Sequence, residues 1–441
     1  MAGGSASRAQ ALGWALGALS TSVLINSAGL LQLRFMTDSL GIGAALAGTL
    51  LAISRIYDGI ADPLMGLVTD RTHSRWGRRR PWLLLGALMC GIALAALFNV
   101  PRIADARLLA GYMLLVLLYF ATAYTVFRIP YLALGADLAR SFDARSRLMS
   151  FNVYGSSVGS LLATTGAPFL LAAAGGGRDA HGLMALLLGC LVLASGLASF
   201  ALTAGAPEAD ALQHRHYGWR ERLAALRQNR PFLALILTKV LLFIGLGLHM
   251  SSIAFFVKHV LRLTDFSLGT VFLMQTLTTI LSQPLWVRIA SRLGRRNALL
   301  VAIGFDLCLM ACWWALPAGG SGRWLVPLGL LQGVATGGLI LNIQCMLPDT
   351  MDHDEQRFGL RRQGLFAGIF VMVEKFTSAF AMAIFGGFID AMGYVAAADS
   401  AALQPSSALL AIRASVSVLP AAFMLLAAIA LTTYHLPGDR R

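Results

Sequence analysis

The segment RIYDGIADPLMGLVTDRTHSRWGRRRPW, residues 55–82, begins within an apolar stretch and ends in a cluster of arginines. Its first part places Arg55, Asp58 and Asp62 where lipid would lie if the segment crosses a membrane. A charge at the centre of a bilayer costs roughly 2.5–3.5 kcal/mol on insertion scales, so charged residues there normally face a cavity and have partners. The segment therefore predicts a membrane-spanning helix with one polar face, followed by a basic loop.

The composition is typical of a membrane protein with many spans. Of the 441 residues, 57% are hydrophobic and 13% are charged, whereas soluble proteins carry about 25% charged residues. Apolar runs long enough to cross a bilayer as helices recur along the chain, and we count twelve. We therefore predict an all-α polytopic membrane protein with twelve transmembrane helices. No nucleotide-binding loop, catalytic triad or metal-binding constellation is evident, so we expect no enzyme activity and no cofactor.

The net charge of +14 follows the topology of the chain. Most Lys and Arg residues lie in both tails and in alternate connections between the predicted spans, and the other connections hold few. Connections rich in Lys and Arg stay in the cytoplasm, so we expect both termini on the cytoplasmic side of a bacterial inner membrane. The charge then requires no nucleic-acid partner, although it suits contact with anionic membrane lipid.

An internal repeat divides the chain into two halves. DPLMGLVTDRTHSRWGRRRPWLL begins at Asp62, and QPLWVRIASRLGRRNALL begins at Gln283. Each segment has a Pro-Leu pair, then Gly-Arg-Arg, then a new apolar span. A repeat of this size predicts two pseudo-symmetric six-helix bundles with a binding site between them near the membrane midplane. We assign the bundles to residues 1–204 and 231–441, and a cytoplasmic central loop to residues 205–230.

The loop GLVTDRTHSRWGRRRP, residues 66–81, resembles the cytoplasmic motif between the second and third spans of major facilitator superfamily transporters. The resemblance implies the major facilitator fold and says little about substrate. Asp70 and the arginines can form charge-assisted hydrogen bonds that hold the two bundles together on one face and break as a transporter opens. We therefore predict a gating role for Asp70, Arg71, Arg78 and Arg79.

Arg55, Asp58 and Asp62 are spaced three and four residues apart, which places them on one face of a helix. Two carboxylates four residues apart repel each other when both are ionised, unless a cation lies nearby. We therefore predict that Asp58 and Asp62 bind a coupling cation, either Na⁺ or H⁺, and we expect no other metal site. The alternative is a static ion pair between Arg55 and Asp58.

RIYDGIADPLMG, residues 55–66, is similar to the second span of the glycoside–pentoside–hexuronide:cation symporters. Four other segments match this family in chain order: TDSLGI at 37–42, YTVFRIPYLAL at 124–134, DTMDHDEQRFGLRRQGLF at 349–366 and VEKFTSAF at 373–380. The resemblance implies that Asp58 and Asp62 bind the coupling cation. It also matches Arg55, Tyr124 and Lys375 to residues on the family's substrate path.

Two positions depart from the best-known sugar permease of this family. Arg128 stands where that permease has an acidic residue just before Ile-Pro, and Ser22 stands where it has a sugar-binding aspartate. The departures argue against galactoside recognition and against sodium coupling, and they leave a proton-coupled or an uncoupled carrier open. Arg128 is an internal counter-ion, a contact for an anionic substrate or a cavity-lining arginine, and we place it on the substrate path.

The resulting prediction is a monomeric secondary active transporter that carries a small sugar, glycoside or hexuronide together with Na⁺ or H⁺ by alternating access. The cationic residues favour an acidic sugar over a neutral one. Two alternatives remain: transport of a lysophospholipid or another amphiphile, as in animal relatives of the family, and a non-transporting sensor or assembly factor with the same fold. Trp313 and Trp314 are predicted to lie in the aromatic belt at the membrane interface.

Overall fold

The computed structural model describes residues 7–138, 142–205, 229–320, 322–358, 363–396 and 404–435, and every regular element in them is helical. The α-helices are α1 (Arg8–Asp38), α2 (Ala44–Arg71), α3 (Arg80–Phe98), α4 (Ala106–Leu138), α5 (Phe142–Leu161), α6 (Ala167–Ala173), α7 (Gly177–Leu202), α8 (Arg230–Phe255), α9 (Asp265–Leu281), α10 (Gln283–Leu293), α11 (Arg295–Ala315), α12 (Leu325–Phe358), α13 (Gln363–Ala391), α14 (Ser406–Val416) and α15 (Val418–Thr432). Turns of π-helix at Leu162–Gly166 and Phe256–Val260 join α5 to α6 and extend α8.

Local sequence signals explain where several helices begin. Ser7 and Gln10 form a capping box at the start of α1, in which each side chain accepts a hydrogen bond from the backbone N–H of the other residue. Pro81 and Pro231 occupy the first turns of α3 and α8, where the missing N–H would have no helical partner. Each of these helix starts directly precedes an apolar run of the sequence, so the capping signals and the hydropathy agree.

Eleven helical segments of the described residues are long and apolar enough to cross a membrane. The eighth predicted span is instead a shorter apolar helix, α9, of 17 residues. The turn at Ser282 separates α9 from α10, which begins at Gln283 with Pro284 in its first turn. Proline has no backbone N–H to donate to the carbonyl four residues earlier, so helical hydrogen bonding is interrupted there, which accounts for an eighth span made of two pieces.

The chain divides into two compact units, Met1–Gln213 with Val395–Leu403, and His214–Tyr394 with Gln404–Arg441. In the first unit, α1 packs against α5 and α7, α3 packs against α4 and α7, and α2 packs against α4. In the second unit, α8 packs against α13 and α15, α11 packs against α12 and α15, and α9 packs against α12. Taken span by span, these are the same helix pairs, as the internal repeat requires. Residues 206–228 of the predicted central loop lie outside the described residues.

An arginine at the start of the third span of each unit contacts the end of that unit's last span. Arg80 Nη2 donates to the Phe200 carbonyl at 2.9 Å, near the end of α7. Arg296 Nη2 donates to the Thr432 carbonyl at 3.1 Å, at the end of α15. The last carbonyls of a helix have no intrahelical donor and carry partial negative charge, so a guanidinium stabilises them. The basic segments of the repeat therefore also stabilise the contact between the third and the last span of each unit.

The prediction that Trp313 lies in an interfacial belt is wrong. Its side chain is fully buried, and Nε1 donates to Gln332 Oε1 at 3.1 Å. Gln332 Nε2 in turn donates to Asp306 Oδ1 at 2.7 Å, so a chain of polar groups links α11 to α12. The indole N–H has a buried acceptor on the neighbouring helix and does not need the interface, whereas Trp314 is exposed.

Replacing Gly155 by Ala should destabilise the protein, because the added Cβ would overlap the carbonyl of Ala15 on α1. Overpacking of this kind costs about 1–3 kcal/mol, which exceeds the gain in helix propensity of about 1 kcal/mol. Thermal unfolding of the purified protein should show a lower midpoint for this variant. Gly111→Ala is the control, since nothing lies within 4 Å of a Cβ added there. Equal midpoints for the two variants would contradict the α1–α5 packing.

Candidate functional site

Two carboxylates of α2 meet one hydroxyl of α4. Thr125 Oγ1 lies 2.9 Å from Asp58 Oδ1 and 2.9 Å from Asp62 Oδ1. Asp58 and Thr125 are each 2% exposed, and Asp62 is half-buried. The spacing of four residues puts the carboxylates one helical turn apart, and the packing of α4 against α2 supplies a neighbour that both can reach.

The contact among these three side chains is strengthened by added positive charge. A threonine hydroxyl carries one proton, so it can donate one strong hydrogen bond at a time. The second carboxylate–hydroxyl contact is favourable if one carboxyl group is protonated and donates a hydrogen bond to Thr125 Oγ1. It is also favourable if a bound cation attracts all three oxygens. Hard cations prefer oxygen ligands. The site can therefore hold a proton or a small hard cation such as Na⁺.

Arg128 follows Tyr124 by one turn of α4 and is oriented by it. Its Nη1 donates to the Tyr124 hydroxyl, and its Cζ lies 5.2 Å from the centroid of the tyrosine ring. Tyr124 is only 3% exposed, so a buried partner holds the guanidinium through a hydrogen bond and a cation–π contact. One turn of α4 thus presents Tyr124, Thr125 and Arg128.

A small cavity inside the first unit connects several of the predicted residues. Arg55, Asp58 and Tyr124 line it, together with Gln32 of α1 and Ser54 of α2. Its volume of about 10 Å³ gives room for about one water molecule or a small ion. The cavity brings one predicted cation-binding carboxylate together with two residues of the predicted substrate path.

The other predicted site residues lie elsewhere in the chain. Lys375 is half-buried on α13 in the second unit. Asp70 and Arg71 are exposed at the end of α2, and Arg78 and Arg79 are half-buried just before α3. The substrate role of Lys375 and the gating role of the other four residues stay predictions.

Thr125 is the site residue that sequence reasoning missed. Threonines in helices commonly donate to a carbonyl of their own helix, as Thr69 does to Met65 O at 2.7 Å. A threonine in an apolar span therefore gives no signal by residue type. The one available signal was its position in YTVFRIP, between Tyr124 and Arg128.

Across the part of the chain that the structure describes, no three His, Cys, Asp or Glu side chains are grouped to hold a metal ion. At the α2–α4 contact, the ligands available to a cation are two carboxylates and a neutral hydroxyl. Such a set lacks the nitrogen and sulfur ligands that zinc prefers, and suits an alkali cation or a proton.

Comparisons with known proteins agree with this architecture. The family described as MFS/sugar transport protein matches residues 13–438. The isoprimeverose transporter of Lactiplantibacillus pentosus is 26% identical, over 82% of this chain and 76% of that protein. The glucuronide carrier protein homolog of Escherichia coli (strain K12) is 25% identical, over 97% and 93%. A mutant form of the nucleoside transporter NupG has a similar fold, with a TM-score of 0.67 and 15% identity over 95% of this chain and 99% of that one.

These findings confirm the predicted fold class, an all-α membrane protein with two six-helix bundles. They also confirm the resemblance to the glycoside–pentoside–hexuronide:cation symporters. The likeness to NupG concerns the fold alone. Since the family match extends over nearly the whole sequence, the chain is an integral membrane protein that belongs to the MFS/sugar transport protein family of the major facilitator superfamily.

Proposed function

We propose that this protein is a secondary active transporter of a bacterial inner membrane, which carries a sugar, glycoside or hexuronide in symport with Na⁺ or H⁺ by alternating access. The observation that carries the proposal is the contact of Thr125 with both Asp58 and Asp62. Two ionised carboxylates beside one hydroxyl repel each other, and Arg55, which interacts electrostatically with Asp58, offsets part of that repulsion. A cation or proton bound at the pair stabilises it further. Such a site changes its stability when the ion arrives or leaves, as coupling requires.

The coupling ion acts by changing which arrangement of α2 and α4 is stable. With the ion bound, the charges of Asp58 and Asp62 are compensated and the contact with Thr125 is favourable. Without it, carboxylate repulsion favours a different arrangement. A ligand shifts a conformational equilibrium only by its difference in affinity for the two states. Here that difference is the electrostatic energy of the carboxylate pair.

The membrane potential sets how far one coupled charge can drive uptake. Moving one positive charge inward at 100 mV releases about 2.3 kcal/mol. Since about 1.4 kcal/mol corresponds to a tenfold concentration ratio, this supports roughly fiftyfold accumulation of a neutral solute. A solute that carries one negative charge needs a second cation for the same gain.

A hexuronide is the substrate class that the charged residues favour. Arg55 and Arg128 belong to the first unit and Lys375 to the second. A guanidinium matches the geometry of a carboxylate by paired hydrogen bonds. The names of two relatives, an isoprimeverose transporter and a glucuronide carrier homolog, support a small sugar-like substrate.

Transport assays in proteoliposomes test the proposal. We would follow labelled isoprimeverose, methyl β-D-glucuronide and a lysophosphatidylcholine, with sodium and pH gradients imposed independently. We expect at least one sugar to accumulate with one of the two gradients. Uptake of the lysophospholipid alone would favour the amphiphile alternative. No uptake of any probe would favour a sensor or assembly factor.

The double variant Asp58→Asn, Asp62→Asn should lose uphill accumulation, with a final concentration ratio near one, because neutral amides cannot bind the coupling ion by charge. Downhill exchange of labelled sugar should persist. Asp179→Asn is the control, since this carboxylate is exposed in the first turn of α7. Accumulation by the double variant at the wild-type level would refute the assignment of the cation site.

Thr125→Val should weaken activation by the coupling ion about tenfold or more, because valine has the same shape but cannot bond either carboxylate, and hydrogen bonds to charged groups contribute about 1.5–3 kcal/mol. The measurement is the ion concentration for half-maximal uptake. Thr122→Val is the matched control: its hydroxyl contacts Tyr57 of α2 at 3.0 Å, one turn away on α4. If both valines have the same effect, Thr125 acts only by joining the helices.

Arg128→Gln should reduce the preference for methyl β-D-glucuronide over methyl β-D-glucoside by about tenfold or more, because a charge-assisted hydrogen bond is lost for the uronate alone. Competition against labelled substrate measures the preference directly. Arg107→Gln, at an exposed position near the start of α4, is the control. Equal affinity of the wild-type protein for the two sugars would rule out the acidic-sugar preference.

A further inference from the structure

A buried lysine of the second unit lies well inside a membrane-spanning segment. Lys239 is about 14 Å along α8 from Arg230, at 1.5 Å per residue, and half of a hydrocarbon layer is about 15 Å. Its side chain is 0% exposed. Its Nζ donates to the Phe370 carbonyl at 2.7 Å and to Glu374 Oε2 at 3.2 Å, and lies 3.3 Å from the centroid of the Phe370 ring. Lys239 is thus fully buried, and its ammonium group binds two residues of α13.

Glu374 is the exposed member of this ion pair. It lies on α13 one turn after Phe370, and its side chain is 48% exposed. A carboxylate exposed to hydrocarbon at this depth would be strongly disfavoured, so charged residues in spans face water-filled space or protein. The pair therefore presents a carboxylate to water and keeps its ammonium counter-ion behind it.

The helix contact does not need a charge pair for packing. In the first unit, the corresponding contact of α1 with α5 is made close by glycines. A Cβ at Gly155 or Gly159 would meet the backbone of Ala15 or Leu19. Lys239 and Glu374 stand in the repeat of that contact, between α8 and α13. Small residues allow close packing in one copy, so the charge pair of the other copy is not required for helix packing.

The chemistry of Glu374 selects among ligands. The Lys239 ammonium, 3.2 Å from the carboxylate, repels a metal cation. Protonation of Glu374 would leave Lys239 buried without its counter-ion, which strongly disfavours a proton-carrying role. An ionised carboxylate can only accept hydrogen bonds, and its two oxygens can take more than the one that Lys239 donates. The remaining class of ligand group is a neutral hydroxyl, which can donate a hydrogen bond to the carboxylate.

We propose that Glu374, positioned by Lys239, is a hydroxyl-binding subsite that accepts hydrogen bonds from adjacent hydroxyls of the transported sugar. The inference rests on the proposed sugar transport and adds a specificity-determining residue in the second unit. A site built to bind a substrate hydroxyl discriminates against the analogue that lacks it, because the polar group of the site is left without its partner.

Equilibrium binding to the purified full-length protein tests the subsite, with methyl β-D-glucuronide and its 2-deoxy, 3-deoxy and 4-deoxy analogues as probes. The variants are Glu374→Gln and the double variant Lys239→Met, Glu374→Leu. The double variant contains no unpaired buried charge, and replacing an ion pair by apolar residues is often tolerated. Asp390→Asn, an exposed carboxylate at the end of α13, is the matched control.

We expect the wild-type protein and the control to bind at least one deoxy analogue about tenfold more weakly than the parent sugar. The double variant should bind the parent about tenfold more weakly and should no longer distinguish it from that analogue. Glu374→Gln should also weaken the binding of the parent sugar, because the side chain loses its negative charge.

Two results would refute the proposed subsite without contradicting the proposed sugar transport. One is unchanged affinity of both variants for the parent sugar. The other is weaker binding by the variants with full discrimination against the deoxy analogue, which would mean a purely structural pair. If the wild-type protein binds none of the probes, the hexuronide assignment itself fails, and the subsite fails with it.

Discussion

In the hydrocarbon of a membrane no water replaces a missing partner, and this constraint governs every functional feature of the chain. Each charged or polar group at depth is stable only if another residue or a ligand satisfies it. The carboxylates of α2 meet Thr125, the ammonium of Lys239 meets Glu374, and Asp306 meets Gln332. The proposed ligand sites, the carboxylate pair and Glu374, are both places where this constraint has brought charged side chains together with a partner on another helix.

The two units use the same packing for different chemistry. When the Pro-Leu pairs of the repeat are aligned, Thr279 and Gln283 stand where the first repeat has Asp58 and Asp62. Thr279 Oγ1 donates to the Gly333 carbonyl of α12 at 3.0 Å. The second unit thus keeps a polar contact between the corresponding helices but without charge. At this equivalent contact the second unit therefore has no counterpart of the two carboxylates that we propose to bind the cation.

At another pair of equivalent contacts, the charged residues lie in the second unit. The α8–α13 contact carries Lys239 and Glu374, whereas the corresponding α1–α5 contact is packed through Gly155 and Gly159. A duplicated bundle supplies two similar frameworks, and different residues at equivalent contacts give each framework a different set of charged side chains. An ion-responsive site in one unit and a hydroxyl acceptor in the other would let one transport cycle respond to two solutes.

The features readable from the chain were those carried by residues close in sequence. Apolar runs indicated the spans, the recurring Pro-Leu and Gly-Arg-Arg pattern indicated the repeat, and a spacing of four residues put Asp58 and Asp62 on one helix face. The identity of each partner was beyond reach: Thr125 for the carboxylates, Gln332 for Trp313 and Glu374 for Lys239. The helical period tells which face a side chain occupies, but its contact depends on which other helix packs there and at what depth. That pairing is settled by packing among spans far apart in the chain.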